Sequence, residues 1–491
     1  MAQTKPARVR FAPSPTGRFH IGSARTALYN HLLARQTGGS FILRIEDTDQ
    51  KRFVEGSEDE IRQAMDWMGL QIDEGPEIGG QFGPYRQSER LDIYAKYARE
   101  LVDNGHAYYC FCQPERLKQV RELQRKRKEP ARYDGLCRRL NPSEAQARVE
   151  AGEEHVIRFK TPKEGQTTGV DIMRGEITVD NNQIDDYILV KSNGIPVYHL
   201  AAMVDDHLME ITHVFRGMEW LPTFPLHIMI YEAFGWEQPQ WAHLSVFLKP
   251  SGKGKMSKRD EDVMGIFTLD FAGMGYLPEA VNNWLALMGW AYDDHTEIFT
   301  MESLIEKFSL EKLNPSAAAV NFSKLDHFNG VHIRMLEVDD LTRRLLPFFQ
   351  EAGYPATQEK LARITPIIQE RIVTLKDAVE IAGFFFEETV EPQAETLIGK
   401  KMTAEQSAAT ARAAYKTIAD TSSMDHDDLE MALRQTADDL GLKAGQLFGI
   451  LRMAVTGQKV SPPLIESMAI IGKHEVLKRI EQAAESLEAM G

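Results

Sequence analysis

Two short segments of this chain carry residues of the kind that handle phosphate. The first, residues 10–22 (RFAPSPTGRFHIG), passes from a strand-like run through a Pro-x-Pro-x-Gly turn into a helical pattern that begins near Ile21. A helix N-terminus attracts anions through its backbone N–H groups and its dipole, and His20 adds an imidazole there. The second, residues 255–259 (KMSKR), places three cations within five residues. Together they predict the two halves of one phosphate site.

The chemistry expected of such a site is electrostatic stabilisation of a phosphoryl transition state. Lys255 and Lys258 would neutralise the charge that develops on a pentavalent α-phosphorus while pyrophosphate is displaced, and His20 would donate to a phosphate oxygen. Glycines give each segment the freedom that close approach and movement need: Gly17 and Gly22 in the first, Gly252 and Gly254 in the second. Taken singly, each segment is explained equally well as a turn or an exposed basic loop, so the prediction depends on the pair.

A run of acidic residues follows the second predicted strand. Arg44 and Ile45 precede carboxylates at Glu46, Asp47 and Asp49. At the carboxyl end of a strand beside a phosphate site, Glu46 is placed to hold a substrate ammonium, and carboxylates there are also suited to organising Mg2+. An exposed acidic turn without a ligand is the alternative.

Two arginines lie in or directly after apolar, strand-like runs. An unpaired guanidinium is costly in a protein interior, so Arg10 and Arg216 each require an anion. That anion is either a carboxylate of a substrate or one of the protein itself, and the sequence leaves both interpretations open.

The elements that must position these residues alternate between strand and helix over the first hundred residues, which is typical of a parallel α/β sheet. Strands are predicted at residues 9–12 and 41–45. Between them a helix is predicted over residues 21–35, ending at Gly38 and Gly39.

Two further helices are predicted before the pattern changes. Ser57 and Glu60 form a capping box that opens the first of them, and the second extends from about Ser88 to Gly105. Over residues 110–186 the pattern loosens, which indicates an insertion between the halves of the sheet.

The second half of the sheet is predicted to return after the insertion, with strands over 187–190 and 195–200, a helix over 222–234 and a last strand over 241–248. This last strand leads directly to the lysine-rich segment, so ligand binding is expected at the carboxyl ends of the strands. After about residue 320 the chain is predicted to form a separate helical module. Its helices are expected over 339–352, 358–384, 403–418 and 427–440.

The composition is that of an ordinary globular protein. The chain has no apolar leader and no uncharged apolar run of membrane-spanning length, so we expect a cytoplasmic protein with no membrane partner. The net charge of -15 does not exclude a nucleic-acid partner, because the placement of charge decides binding. Residues 115–139 carry ten Lys or Arg against four acidic residues. This run is either a solvated helix face or a surface that contacts phosphate.

The two opening segments are accompanied by further blocks in a fixed order. The set comprises residues 10–22, 25–28, 38–39 with 44–49, 83–90, 198–207, 216–217 and 255–259. Through these blocks the chain resembles bacterial-type glutamyl-tRNA synthetases over nearly its full length. Two fixed motifs in the right order, with matching blocks between them, make the resemblance specific.

The resemblance implies a class I synthetase with an α/β Rossmann-like catalytic domain, an inserted connective domain and an all-α anticodon-binding domain. The implied divisions are 1–110 and 187–254 for the catalytic halves, 111–186 for the acceptor-binding insertion, 255–325 for the lysine loop and stem-contact region, and 326–491 for the anticodon-binding domain. The implied reaction joins ATP and L-glutamate into glutamyl-adenylate and transfers glutamate to the terminal adenosine of tRNA(Glu). A monomer is also implied.

The resemblance further assigns residues to the two small substrates. Glutamate would contact Arg10, Ala12, Ser14, Glu46, Tyr198, Ala202 and Arg216. Within that set, Glu46 would bind the α-amino group and Arg216 the side-chain carboxylate. ATP, with Mg2+, would contact Pro13, Gly17, His20, Gly22, Glu219, Lys255, Met256, Ser257, Lys258 and Arg259. Catalysis would depend on His20, Lys255 and Lys258.

The chain departs from the family's pattern at three positions. Ser23 stands in place of the histidine that ends the first signature, at a position that varies in the family. Met218, between Gly217 and Glu219, stands where the family usually has an acidic residue, which concerns the nucleoside end of the ATP site. Ala202 has no polar side-chain atom, so any contact there would come from the backbone.

Three cysteines in a chain of this size do not form a secreted disulfide framework. Some members of the resembled family bind zinc in the insertion, and Cys110, Cys112 and Cys137 match their ligands. Arg139 occupies the usual fourth position, which leaves Tyr133 as the remaining candidate. Tyrosine is a poor zinc ligand beside thiolate, so three reduced cysteines without a metal are the favoured alternative.

Other functions are compatible with parts of the sequence. Glutaminyl-tRNA synthetase has the same fold, but it typically shows Pro-Glu-Pro-x-Gly where this chain has PSPTG at residues 13–17, and its tail is a β-barrel. A truncated relative that glutamylates a modified tRNA base lacks the anticodon-binding module. The helical tail would alternatively serve mainly as a protein-binding scaffold. The sequence also leaves open whether tRNA(Gln) is charged besides tRNA(Glu).

Overall fold

The computed structural model describes residues 5–256, 266–422 and 424–490. They form two compact units. The first contains the chain up to Asp270 together with Val281–Phe322, and the second contains Phe271–Ala280 together with the chain from Ser323 onward.

The strands found in the described residues all lie in the first unit. In chain order they are β1 Arg8–Phe11, β2 Ser40–Leu43, β3 Ala107–Cys110, β4 Val156–Phe159, β5 Gln166–Asp171, β6 Gly175–Asp180, β7 Ile188–Val190, β8 His213–Gly217, β9 Gln240–Leu244, β10 Phe247–Leu248 and β11 Ala318–Ala319.

Helices make up most of the remaining structure. In chain order they are α1 Ile21–Thr37, α2 Ser57–Trp67, α3 Leu91–Asp103, α4 Pro114–Lys126, α5 Pro142–Glu150, α6 Tyr198–Leu208, α7 Phe224–Phe234, α8 Thr268–Gly273, α9 Pro278–Leu287, α10 Met301–Lys307, α11 Phe322–Met335, α12 Val338–Glu351, α13 Gln358–Ile368, α14 Asp377–Ala382, α15 Ala404–Asp420, α16 His426–Asp439, α17 Ala444–Thr456, α18 Leu464–Ile471 and α19 Lys473–Glu488. None of these helices is long and apolar enough to cross a membrane.

A six-stranded sheet lies at the centre of the first unit, with the strand order β2-β1-β8-β9-β5-β6. Neighbouring strands are parallel except for β5 and β6, which form an antiparallel hairpin at one edge. Parallel strands are buried on both faces, and four of the five residues of β9 are buried. The predicted α/β catalytic fold is confirmed.

Two glycines shape the first β-α-β unit. Helix α1 ends at Gly38, whose φ of 65° lies in the left-handed region that favours glycine. A side chain at Gly39 would collide with the carbonyl oxygen of Ala7. The chain therefore turns into β2 directly beside β1, and the helix end predicted at these two glycines is confirmed.

The residues between the two halves of the sheet build a smaller antiparallel sheet with the order β3-β4-β7. The strand predicted over 187–190 is present as β7, but it pairs with β4 here and not with the main sheet. Strands β5 and β6, in contrast, extend the main sheet although they lie within residues 110–186. The sequence pattern missed them because β5 (QTTGVD) has few apolar residues and alternates exposed with buried positions.

The strand predicted over residues 195–200 is wrong, because α6 begins at Tyr198. Gly194, with a φ of 79°, turns the chain, and Val197 in extended backbone forms the N-cap. Every residue from Leu200 to Asp206 is buried, so the helix has no exposed face to reveal its period.

The capping box predicted at Ser57 is also wrong. Ser57 is the first residue of α2, and the N-cap is Gly56, with a φ of 80° and no side-chain cap. The Ser57 hydroxyl instead accepts the backbone N–H of Gly17 at 3.0 Å. The Pro-rich turn is thereby held against α2.

The last strand predicted for the sheet, over 241–248, is divided. Strand β9 pairs with β8 in the main sheet, whereas β10 pairs in parallel with β11. The chain thus leaves the main sheet after Leu244, before it reaches the lysine-rich segment.

The described part of the second unit is all-helical, as predicted. One apolar cluster includes Leu345, Ile364 and Ala378 from α12 to α14. Another includes Leu451 and Ile480 from α17 and α19.

The helix predicted over residues 358–384 is broken. Helix α13 ends at Ile368, and α14 begins at Asp377. The Asp377 carboxylate accepts the backbone N–H groups of Val373 (3.0 Å) and Thr374 (2.7 Å). This local hydrogen bonding stabilises a turn that competes with the helix.

Candidate active site

A cleft of about 740 Å³ opens at the carboxyl ends of β1, β8 and β9 in the first unit. Phe11, Gly217 and Leu244, the last residues of these strands, all line it. Most of the residues predicted for the site meet there: Arg10, Ala12, Pro13, Ser14, His20, Gly22, Glu46, Tyr198, Arg216, Glu219, Lys255 and Met256.

Two predicted residues do not line this cleft. Gly17 lies in the Pro-rich turn, where its φ of 123° favours glycine. Ala202 is fully buried in the apolar core that α6 forms. Ser257, Lys258 and Arg259 lie outside the described residues.

His20 is the N-cap of α1, and its Nδ1 accepts the backbone N–H of Gly22 at 3.0 Å. In a neutral ring this bond places the proton on Nε2, which makes Nε2 the donor. Two further amides of this helix end are already used, because Ile21 donates to the carbonyl of Ile266 and Ser23 to that of His20. The expected anion site of open backbone amides is therefore wrong for these residues, and the imidazole is the group this helix end offers.

Lys255 is exposed and is placed at the cleft by a hairpin that follows β9. The backbone N–H of Met256 donates to the carbonyl of Phe247 at 2.8 Å. Gly252 and Gly254 have φ values of 72° and 82°. They build the turn of the hairpin, whereas the sequence predicted that they leave the segment free to move.

Asp206 is the centre of a buried ion network that reaches the cleft through Arg10 and Glu46. It accepts Nε of Arg10 at 2.9 Å and Nη1 of Arg44 at 2.8 Å, and Nη2 of Arg44 donates to Glu46 at 3.0 Å. Burial alone would raise the pKa of Asp206, but the two guanidinium groups hold it below its usual range. Burial raises the pKa of Glu46 against the opposing charges of Arg44 and Arg10. A ligand cation beside Glu46 would favour its charged form.

Asp205 anchors this network to neighbouring elements. It is fully buried and accepts hydrogen bonds from Nε2 of Gln87 (2.9 Å), Nε of Arg90 (2.8 Å) and the hydroxyl of Tyr94 (2.8 Å). No role was predicted for Asp205 and Asp206 from the sequence, although both lie in a block that carried the resemblance. The available signal was two adjacent carboxylates inside an apolar run, which are costly to bury unless cations pair with them.

Arg216 is bound differently from Arg10. Its Nε donates to Nε2 of His243 at 2.9 Å, and its guanidinium lies 4.6 Å from the ring centroid of Trp241. Within the part of the chain that the structure describes, Nη1 and Nη2 are buried and have no hydrogen-bond partner. Burial lowers the pKa of Arg216, yet a guanidinium stays protonated in proteins. A buried cation with unpaired donors suits a ligand carboxylate.

Two aromatic residues cover another part of the cleft wall. The rings of Tyr198 and Trp220 are stacked, with centroids 3.8 Å apart and planes at 19°. A side chain at Gly217 would collide with the carboxylate of Glu219, so glycine at this position lets the carboxylate lie against the end of β8. The wall therefore combines flat apolar surface with one carboxylate.

The acidic run after β2 does not form a cage for Mg2+. Asp49 lines the cleft but pairs with Nε of Arg52 at 2.6 Å, and Asp47 accepts the backbone N–H of Ser88 at 2.8 Å. Among the described residues, the one group of three or more potential metal ligands consists of cysteines. Mg2+ in this cleft would depend on phosphate oxygens of a ligand, which is its usual mode with nucleotides.

Comparison with known proteins decides the family. The family described as "tRNA synthetases class I (E and Q), catalytic domain" matches residues 6–327, and the family described as "Anticodon binding domain" matches residues 340–484. A glutamate–tRNA ligase of Dehalococcoides mccartyi strain 195 is 45% identical over 492 residues, covering 99% of this chain and 99% of its own. The chain belongs to the glutamate–tRNA ligase family.

Two further comparisons support the glutamate–tRNA ligase family. The glutamate–tRNA ligase of Roseiflexus sp. strain RS-1 is 45% identical over 493 residues, covering 98% of this chain and 97% of its own. A crystal structure of a glutamate tRNA ligase from Elizabethkingia meningosepticum in complex with its amino acid has a TM-score of 0.90 at 37% identity, covering 98% of this chain and 100% of that chain. The predicted order of a class I catalytic domain and a helical anticodon-binding domain is confirmed.

This member of the glutamate–tRNA ligase family brings its cysteines together in the first unit. The Sγ atoms of Cys110, Cys112 and Cys137 all lie within 4.8 Å of one another. The hydroxyl of Tyr133 is 3.4 Å from Sγ of both Cys110 and Cys112, and it accepts the backbone N–H of Cys137 at 2.8 Å. Three sulfurs and one phenol oxygen therefore converge, which fits the four ligands of a tetrahedral metal.

The surroundings of the cysteines favour a thiolate at Cys110 and a protonated thiol at Cys137, because the hydrogen bond between them raises the pKa of Cys137. Hydrogen bonds from Cys137 and Tyr133 lower the pKa of Cys110. Nη1 of Arg116 lies 3.5 Å from Sγ of Cys112, and the guanidinium of Arg158 lies over the ring of Tyr133 at 4.2 Å. Thiolates are the form that binds metal ions.

Proposed function

We propose that the chain is a glutamate–tRNA ligase. It activates L-glutamate with ATP to glutamyl-adenylate and transfers the glutamyl group to the 3′-terminal adenosine of tRNA(Glu). One observation carries this proposal: Arg216, with two buried donors unpaired among the described residues, lines the same cleft as the buried carboxylate of Glu46. A substrate with a carboxylate side chain and an ammonium matches both groups.

The glutamate site follows from these charges. Arg216 binds the side-chain carboxylate and Glu46 the α-ammonium group. Arg10, Ala12, Ser14 and Tyr198 line the same cleft and complete the amino-acid site. Ala202 is left out, because it is buried in the core and does not line the cleft.

The ATP site uses the Pro-rich turn and the lysine hairpin. His20 and Lys255 bind the phosphates, and Lys258, which lies outside the described residues, is assigned beside them. Pro13, Gly22, Glu219 and Met256 line the cleft. The remaining assigned residues are Gly17, in the Pro-rich turn, and Ser257 and Arg259, which lie outside the described residues. Mg2+ is bound through phosphate oxygens of ATP.

The first reaction step needs no protein nucleophile. An oxygen of the glutamate α-carboxylate bonds to the α-phosphorus, the bond from that phosphorus to the oxygen bridging to the β-phosphorus breaks, and pyrophosphate leaves. The positive charges of Lys255 and Lys258 and the hydrogen bond that His20 donates from Nε2 stabilise the charge on the leaving group. In the second step a ribose hydroxyl of the tRNA attacks the glutamyl carbonyl, loses its proton, and AMP leaves.

Helix α4 supports a tRNA contact by the insertion, residues 111–186. No residue of α4 is buried. Its basic residues include Lys118, Arg121 and Arg125, and the ion pair described for this helix is that of Arg116 with Asp134. Exposed cations without protein partners bind phosphate backbones. We assign the insertion to the acceptor end of the tRNA.

The other domains are assigned with the boundaries that the resemblance implied. Residues 1–110 and 187–254 form the catalytic halves, with β5 and β6 of the insertion added to their sheet. Residues 255–325 are assigned to stem contact and 326–491 to anticodon binding. A monomeric state and a cytoplasmic location stay predictions from the sequence.

We further propose that Cys110, Cys112, Cys137 and Tyr133 hold Zn2+ in the insertion. The convergence of three sulfurs and a phenol oxygen supports this assignment over three reduced cysteines without a metal. Bound zinc would crosslink the loop around Cys137 to the end of β3.

A charging assay tests the main proposal. The purified chain is incubated with ATP, Mg2+ and radiolabelled glutamate or glutamine, with tRNA(Glu) and tRNA(Gln) supplied separately. Glutamate on tRNA(Glu), dependent on ATP, is expected. Charging of either tRNA with glutamine, or no charging with glutamate, would contradict the proposal. The tRNA(Gln) arm decides whether the tRNA specificity extends beyond tRNA(Glu).

A further inference from the structure

Three buried residues on adjacent strands form a hydrogen-bonded chain that ends at the cleft. Asp171 is the last residue of β5, His243 lies in β9, and Arg216 lies in β8. Strands β8, β9 and β5 are neighbours, and the register places Arg216 directly opposite His243. The sequence predicted an anion partner for Arg216 and no role for Asp171 or His243.

The hydrogen bonds among these three residues all donate towards Asp171. Nδ1 of His243 lies 2.7 Å from Oδ2 of Asp171, and the backbone N–H of His243 donates to the same oxygen at 2.9 Å. Oδ1 of Asp171 accepts the backbone N–H of Met173 at 3.0 Å. Nε of Arg216 donates to Nε2 of His243 at 2.9 Å. Both carboxylate oxygens and both ring nitrogens are therefore engaged.

These contacts select one tautomer of His243. A carboxylate only accepts, so Nδ1 carries the proton, and Nε2 keeps its lone pair for the N–H of Arg216. The imidazole is fully buried, and burial lowers its pKa against the opposing effect of Asp171, which favours the neutral ring that this arrangement requires. The carboxylate of Asp171 thus acts on Arg216 through the ring.

The consequence for Arg216 is geometric. With Nε bound by His243 and the guanidinium plane beside Trp241, the donors left for a ligand are Nη1 and Nη2. A carboxylate can accept one N–H from each of these nitrogens in a bidentate pair, whereas an amide has a single oxygen to accept with. The direction of the guanidinium is therefore a determinant of which side chain the cleft takes.

We propose that Asp171 and His243 are positioning residues that hold the Arg216 guanidinium by its Nε, so that Nη1 and Nη2 together select a carboxylate side chain over an amide. This assignment rests on the proposed role of Arg216 in binding the glutamate side chain. A purely structural role, in which the two residues only join β5 to β9, is the competing explanation.

The central test replaces His243 with two amides. His243→Asn is expected to keep a donor near Asp171 and to lose the acceptor for Arg216, whereas His243→Gln places an amide oxygen within reach of the Arg216 Nε. KM for glutamate, KM for ATP and kcat are measured in the charging reaction with tRNA(Glu), together with kcat/KM for glutamine and the melting temperature. His213→Asn, the same substitution at the start of β8 and away from the cleft, is the matched control.

The expected result is a split between the two small substrates. His243→Asn raises KM for glutamate by about tenfold or more, because a hydrogen bond to a charged group is lost. KM for ATP and the melting temperature stay close to those of the control variant, and the preference for glutamate over glutamine falls. His243→Gln recovers most of the affinity for glutamate and most of the preference for glutamate over glutamine. Asp171→Asn raises KM for glutamate less than His243→Asn does.

Two outcomes overturn the assignment. Unchanged glutamate kinetics in His243→Asn would show that Arg216 does not need the ring, and parallel losses in both KM values with a lowered melting temperature would show a structural role. The variant Arg216→Gln tells failure of the positioning role apart from failure of the proposed glutamate site. If Arg216→Gln leaves KM for glutamate unchanged, the proposed glutamate site is wrong. If it raises that KM while the His243 variants do not, only the positioning role is wrong.

Discussion

Arg10 and Arg216 are buried guanidinium groups on the paired strands β1 and β8, but within the described residues only Arg10 contacts a carboxylate directly. Arg10 donates to Asp206 at 2.9 Å and to the carbonyl of Phe215 at 3.1 Å. The terminal nitrogens of Arg216 have no partner among the described residues. The sequence left the same two explanations open for both arginines, and the structure gives each arginine a different one.

Asp206→Asn is expected to destabilise the first unit strongly. The substitution leaves Arg10 and Arg44 buried without their shared carboxylate, and breaking a buried pair in this way typically costs about 3–5 kcal/mol. Urea denaturation followed by tryptophan fluorescence measures the loss. Glu153→Gln, which breaks the exposed pair with Arg148, is the control and is expected to leave the midpoint unchanged. Equal midpoints for the two variants would contradict the role given to Asp206.

Lys258→Ala is expected to lower the rate of glutamyl-adenylate formation by roughly 100-fold or more, because a cation on the leaving phosphates is lost. The rate is measured by rapid quench with ATP, glutamate and tRNA(Glu), and the melting temperature should not change. Lys253→Ala is the control, because it removes an exposed lysine two residues before Lys255 that does not line the cleft. A normal rate for Lys258→Ala would show that this lysine is not a catalytic residue.

Glu46→Gln is expected to raise KM for glutamate by about tenfold or more, since the α-ammonium loses its buried counter-charge. KM for ATP should stay the same, because the change concerns the amino-acid site. Glu55→Gln, at an exposed position of the loop before α2, serves as the matched control. A rise in KM for ATP alone would show that Glu46 contacts ATP and that its assignment to glutamate is wrong.

Zinc is expected at about one ion per chain in protein purified without chelator, measured by mass spectrometry of the metal. Cys112→Ser removes one of the converging sulfurs and should lose most of the metal. Arg139→Ala changes the residue at the usual fourth position and should retain it, because Tyr133 contacts the sulfurs instead. A metal content near zero in the unaltered protein would leave three reduced cysteines as the correct description.

The stability of the first unit is expected to fall as pH falls from about 6.5 towards 4. Burial lowers the pKa of His31 and of His199 to about 4 each, whereas both titrate near 6.5 when unfolded. Because the unfolded chain takes up these protons first, each histidine lowers the free energy of unfolding by about 1.4 kcal/mol per pH unit over this range.

Urea denaturation at several pH values measures this slope. His31→Asn removes one of the two titrating groups, so its stability should fall less steeply than that of the unaltered protein between pH 6.5 and 4. The comparison between the two proteins cancels the carboxylates that titrate in the same range. Identical slopes would show that His31 does not stay neutral in the folded state.

Local sequence patterns predicted some elements well and others not at all. Helix α1 was predicted although its residues 27–34 are all buried, and its end at Gly38 follows from one left-handed glycine, which is a local property. Helix α6 was mistaken at its start for a strand, because a helix buried on every side has no visible period. The hairpin of β5 and β6 was missed because β5 has few apolar residues and its pairing with β9 is a long-range contact.

The candidate site was likewise predicted from the sequence only in part. The Pro-rich turn with His20 and the lysine-rich segment were predicted to meet, and His20 and Lys255 do line one cleft. The sequence did not reveal that His20 takes up the amide of Gly22, which leaves Nε2 as its donor. That contact depends on the dihedral angles at one helix end, which residue types alone do not specify.

The sequence by itself determined the kind of chemistry and the family, because short motifs of fixed residue type carry the phosphate-binding groups and their order along the chain. Only the tertiary structure decided which arginine is free for a ligand. Asp206 lies 196 residues from Arg10, and His243 lies opposite Arg216 through the register of β8 and β9. Whether a buried charge is already neutralised depends on distances between remote residues, and folding sets those distances.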